Sequence, residues 1–163
     1  MLYILNFGDV IMENDLIRDH QTILLTGENE QDKRKELLHY FDQTWRLYES
    51  LFDVINNDQA YYKKAEPLRH PLIFYFGHTA TFFINKLKLG KIIDQRVNTN
   101  FESMFAIGVD EMSWDDLDEK HYDWPSVEDV RHYRDQAKLL IKKTIKSMPL
   151  SQTVPPDPPA RAK

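Results

Sequence analysis

The sequence predicts an all-α helical bundle. Three long stretches carry apolar residues at three- and four-residue steps, no two stretches read as a strand pair, and residues that stop or cap helices bound each stretch. The first stretch, Gln31 to Asn56, is the clearest. Leu37, Leu38, Phe41, Trp45, Tyr48, Leu51, Phe52 and Ile55 fall on one face, and Asn56-Asn57-Asp58 ends it with side chains that compete for backbone groups. Before it, Ile23-Leu24-Leu25 and Thr26-Gly27 read as a short extended piece docking ahead of a turn.

A connection through Tyr61, Tyr62 and Pro67 leads into the second helix, Pro71 to about Leu89. Pro71 suits the first turn, where a missing N–H costs nothing, and Gly90 supplies a stop. The run from Leu72 to Ile84 has almost no polar face, so this helix is expected to be buried nearly all round. A short third helix is expected from Asn98 or Thr99 through Phe101, Met104, Phe105 and Ile107, closed by Gly108. The last long helix opens at Ser126-Val127-Glu128-Asp129, a capping box with Asp in place of Glu. Val130, Tyr133, Ala137, Leu140, Ile141, Ile145 and Met148 form its stripe. Five prolines among residues 149–163 mark an extended or disordered tail. The organisation expected is an N-terminal extension (1–25), a bundle (26–148) and a proline-rich tail (149–163). Three long helices are one short of the usual four, which would leave a flank of core uncovered.

Composition narrows the function classes. A net charge of −5 argues against a nucleic-acid partner. The charge is uneven: residues 110–129 hold nine acidic residues and one lysine, so the remainder carries +3 by difference. With no cysteine there is no disulfide scaffold, thiolate metal site or thiol nucleophile, which fits a cytoplasmic protein. The start lacks a basic signal-peptide region, and the 71–84 run is shorter than the ~20 apolar residues a membrane span needs. A soluble protein without a membrane partner is expected.

Six histidines (His20, His39, His70, His78, His121 and His132) are candidate ligands, but no two share the i, i+4 spacing of a helical metal site. His70 and His78 would stand roughly 12 Å apart along a helix, too far to share an ion. His70 reads as a residue of the helix's first turn, and His20, His39 and His132 as surface residues. His78 lies one turn from both Phe74 and Phe82, and its ring needs either a hydrogen bond or a metal. Taken alone it is better explained by a hydrogen bond. The acidic stretch lacks the glycine and spacing of an EF-hand, and no phosphate loop or nucleophile elbow is present. No catalytic residue is assigned.

Three blocks resemble one family. Residues 70–86, centred on Gly77-His78-Thr79, are similar to the N-terminal region of 5-histidylcysteine sulfoxide synthases of ovothiol biosynthesis. Residues 105–117 and Tyr122-Asp123-Trp124-Pro125-Ser126-Val127 with Tyr133-Arg134 follow in the same order, so that the resemblance runs from about Thr22 to Leu150. The first block also resembles, more distantly, ergothioneine-pathway sulfoxide synthases.

The resemblance implies a DinB-like up-down helical bundle lacking its last helix. It implies a non-haem Fe(II) enzyme that activates dioxygen and joins cysteine sulfur to the histidine imidazole, with cysteine and histidine as substrates. It implies His78 as one of three histidine ligands. The other two come, in the family, from an H-x-x-x-H-x-E motif that this chain does not contain. Since open iron sites need three protein ligands, the chain is expected to be a truncated form, inactive by itself and weak or empty in iron binding. Two further readings stand beside this one. The first is a non-catalytic module that self-associates, or binds the full-length enzyme, through the uncovered bundle face. The second is a metal-dependent transferase of the wider DinB-like group.

Overall fold

The structure, a computed structural model, describes residues 21–67, 69–106 and 123–150. These residues contain five helices and no strand. Ile107, Gly108, His20, His121, the acidic stretch up to Tyr122 and residues 151–163 of the proline-rich tail lie outside them. The chain divides into two compact units, residues 1–56 and 57–163.

The first unit holds α1 (Glu30–Asp53), capped by Asn29, whose side chain accepts from the Asp32 amide at 3.0 Å. The helix thus begins one residue before the expected Gln31 and ends three before Asn56. Phe41, Trp45 and Phe52 are buried, as the spacing predicts, whereas Leu51 is exposed. Of Ile23-Leu24-Leu25, expected to dock, Ile23 is half-buried, whereas Leu24 is 83% exposed and Leu25 is exposed too. The lead-in is tied by polar contacts instead, as Glu36 accepts from the Thr26 hydroxyl and the Gly27 amide, both at 3.2 Å.

The second unit contains α2 (Gln59–Tyr62), α3 (Leu72–Leu89), α4 (Thr99–Met104) and α5 (Val127–Ser147). The second unit is organised around α3, which packs against α2, α4 and α5. Its core residues Ile73, Phe74, Phe76, Ala80, Thr81 and Ile84 are fully buried. It is not buried all round, however. Leu72, Phe82, Phe83 and Leu89 are exposed, Phe82 and Phe83 by 44% and 41%.

The end of α3 also differs from expectation. Gly90 adopts φ −71°, open to any residue, and the left-handed position falls on Lys91 at φ 55°. The Ile92 amide donates to Leu87 O (2.9 Å) and the Lys91 amide to Lys88 O (3.0 Å), the pattern of a helix-ending turn that normally places glycine where Lys91 stands. A Cβ in that conformation crowds the carbonyl oxygen, a strain glycine avoids.

On α5 the Ser126 hydroxyl accepts from the Asp129 amide at 3.0 Å, as a capping box requires. The Asp129 carboxylate meets the Ser126 hydroxyl (2.6 Å), its side chain being one methylene shorter than the usual Glu. Val130, Tyr133, Ala137 and Ile141 are buried as expected, and Arg134 and Thr144 join them. Tyr133 shares a 3.0 Å hydrogen bond with Thr81 of α3, and burial holds its phenol above the ordinary pKa of 10.0.

Two outcomes follow. Lys91→Gly should stabilise the protein by about 1 kcal/mol, read as a higher denaturant midpoint. For Tyr133, the folded state keeps a proton that the unfolded chain loses above pH 10. Its contribution is therefore complete below that pH and falls as pH rises towards the folded pKa. Denaturation measured from pH 8 to 11 should show this loss, and Tyr133→Phe should shrink it while costing about 1–2 kcal/mol at neutral pH.

Candidate functional site

α3 carries Gly77 and His78 on its buried side, and both meet the same residue. The Phe105 ring lies so close to Gly77 that a Cβ there would stand 2.5 Å from two ring carbons. The Phe105 carbonyl in turn lies 2.7 Å from His78 Nδ1. A carbonyl only accepts, so Nδ1 carries the proton and donates, leaving the lone pair on Nε2. No described residue makes a hydrogen bond to Nε2.

Aromatic rings fix the imidazole from both sides. His70, Phe74, His78 and Phe82 stand one turn apart, with ring centroids at 4.1, 5.3 and 6.2 Å in succession. His70 is buried and stacked on Phe74 just ahead of the helix, rather than within its first turn. Trp124 stacks on Phe105 (6.1 Å, 16°) and stands edge-on to Phe74 and His70.

Thr79 completes the motif. Its hydroxyl accepts from Arg134 Nη1 at 2.8 Å, and the same nitrogen donates to Phe76 O at 2.7 Å. The Arg134 guanidinium lies over the Phe76 ring, 4.7 Å from its centroid, at 1% exposure. The three sequence blocks thus converge on α3: Gly77-His78-Thr79 holds Phe105 of the second block and Arg134 of the third, and Trp124 backs Phe105.

Two turns beyond His78, Asn85 donates to Glu102 O at 3.0 Å, giving α3 a second grip on α4. Glu102 is fully buried and saturated. Its carboxylate accepts from Arg96 Nη1 (2.8 Å) and from the Val97 and Asn98 amides (2.8 and 3.0 Å). Neither Glu102 nor Arg134 stands out in the sequence as a buried charge, because both fall among ordinary charged positions. A glycine inside an apolar helix was the one signal for the Phe105 contact.

His78 lines a cavity of about 140 Å³ with Thr81, Phe82, Asn85, Lys86, Leu89 and Ala106. None of these neighbours is a carboxylate or a second imidazole. Among the described residues no group of three or more His, Asp or Glu side chains could hold a metal ion. The imidazole is therefore fixed in the tautomer that suits a ligand, but the described donor set does not by itself fit Fe(II). Of the remaining histidines, His39 and His132 are exposed, as expected.

Residues 40–162 match the DinB superfamily. The chain belongs to the DinB superfamily. That match takes in α3, α4 and α5 and every contact of His78 described above, so the imidazole and its Phe105 partner sit within the DinB domain. Comparison with curated proteins finds no match. No helix among the described residues is long and apolar enough to cross a membrane.

Gly77→Ala should drive the Phe105 ring away and cost about 1–3 kcal/mol in chemical denaturation. In the same variant, the imidazole ¹⁵N spectrum should lose the fixed Nδ1–H tautomer of His78.

Proposed function

We propose that this DinB domain belongs to a non-haem iron sulfoxide synthase of the ovothiol type, which joins cysteine sulfur to the histidine imidazole, and that His78 is one iron ligand. The observation that carries this reading is the 2.7 Å contact from His78 Nδ1 to the Phe105 carbonyl. Metal-ligating histidines commonly donate their other nitrogen to a carbonyl or carboxylate, which sets the tautomer and raises basicity. The likeness of the three sequence blocks to that family supplies the substrate class. The described residues supply no second or third ligand, and the H-x-x-x-H-x-E motif that provides them in that family does not occur in the sequence, so the reading includes that the 163-residue chain alone is inactive.

A second reading, a helical module that pairs through the exposed Leu72, Phe82, Phe83 and Leu89 of α3, is favoured by the size of that apolar set. Sizing in solution distinguishes a metal-free dimer from a monomer that binds metal.

The chain should bind Co(II), a spectroscopic stand-in for Fe(II), no more tightly than a single imidazole does. His78→Ala should remove only the share of that weak binding held at His78, exposed His39 and His132 keeping theirs, and cysteine, histidine, Fe(II) and dioxygen should yield no sulfoxide. Appending an H-x-x-x-H-x-E helix should tighten binding only when His78 is present. Tight stoichiometric binding that survives His78→Ala would sink the proposal.

A further inference from the structure

An open depression of about 840 Å³ lies between the end of α3 and α4, and the charged groups lining it are Lys88, Lys91, Arg96 and Glu102. Glu102 is fully buried, and its carboxylate already accepts from Arg96 and from the Val97 and Asn98 amides. The depression therefore presents an excess of positive charge on a chain whose net charge is −5.

Two of the cations have donors to spare. Arg96 uses Nη1 on Glu102 and on Asn85 Oδ1 (2.9 Å), while Nη2 and Nε make no hydrogen bond to the described residues, and its side chain is 39% exposed. The Lys91 ammonium has no hydrogen bond or ion pair among the described residues. Lys88 Nζ donates to Asp94 O at 2.6 Å, which fixes one wall of the depression.

Lys91 also occupies the left-handed turn position where glycine would be easier, while the glycine of this turn lies one residue earlier. Non-glycine residues held in this conformation are enriched at functional sites, and here the outlier stands at the rim of the basic depression. Asn85 and Leu89 line both this depression and the cavity at His78, so the two meet there.

We infer that this depression binds a small organic anion, its carboxylate or phosphate held by Arg96 and Lys91 and its apolar part lying on Leu89 towards the His78 cavity. The volume suits a ligand larger than a bare ion. Arg offers a planar fork to an oxyanion and Lys a mobile point charge, so the pair serves either headgroup. The inference does not rest on the iron reading, and its test uses no metal.

The test is a ¹H–¹⁵N titration of the full chain with inorganic phosphate and, separately, acetate, each against sodium chloride of equal ionic strength. Saturable shifts at residues 88–103 are expected with at least one anion, and the stronger one names the headgroup. Lys91→Gly, which relieves the turn and so cannot lose binding by unfolding, should weaken it about tenfold, the factor one charge-assisted contact carries. Lys88→Gln should weaken it less. Shifts no larger than those with chloride, shifts confined to the lysines of α5 (Lys138, Lys142, Lys143 and Lys146), or unchanged affinity in Lys91→Gly would each overturn the inference.

Discussion

The second unit depends on one residue held twice. Phe105 is gripped through its ring by the bare backbone of Gly77 and through its carbonyl by the imidazole of the next residue, His78. The two contacts support each other. The missing Cβ lets the ring come close to α3, and among the described residues the imidazole is the partner of the carbonyl at the end of α4. The cost of a glycine inside a helix, about 1 kcal/mol relative to alanine, is offset by the packing it permits.

A polar framework brings Phe105 to that position. Asn98 caps α4 by accepting from the Asn100 and Phe101 amides, and the buried Glu102 carboxylate gathers the Val97 and Asn98 amides with Arg96. A buried carboxylate is tolerable only when so fully partnered. Asn85 and His78 lie two turns apart on one face of α3 and hold carbonyls three residues apart on the α4 segment. The short helix is therefore registered against α3 by two side chains rather than by its own six residues, which would be marginal alone.

Periodicity was enough to find the three long helices, because burial of one face per helix is a local pattern. It also marked His78, since a histidine among phenylalanines needs a partner. It could not identify that partner, because a backbone carbonyl 27 residues away leaves no trace in spacing. Gly90 misled for a related reason. Glycine is permissive rather than prescriptive, and here the turn placed its left-handed residue on Lys91. The expectation of a helix buried all round failed because hydrophobicity measures what a face prefers, not whether the chain supplies a cover for it. Phe82 and Phe83 remain exposed for that reason.

The hydrogen bond to Phe105 gives His78 the partner that an imidazole among aromatics needs, and with it a single tautomer. The Phe105 carbonyl selects Nδ1, and the rings of Phe74 and Phe82 hold the plane in which the other nitrogen lies. A ligand at Nε2 would need little further ordering of the side chain, which would lower the entropic cost of binding it. The same wall of α3 continues through Asn85 and Leu89 into the basic depression at Lys91 and Arg96. Among the described residues, a lone pair held in place at His78 Nε2 stands at one end of this wall, and the Lys91 ammonium and Arg96 Nε and Nη2, which make no hydrogen bond there, stand at the other. The exposed Phe82 and Phe83 belong to the same helix, so α3 carries polar and apolar surface beyond the core it organises.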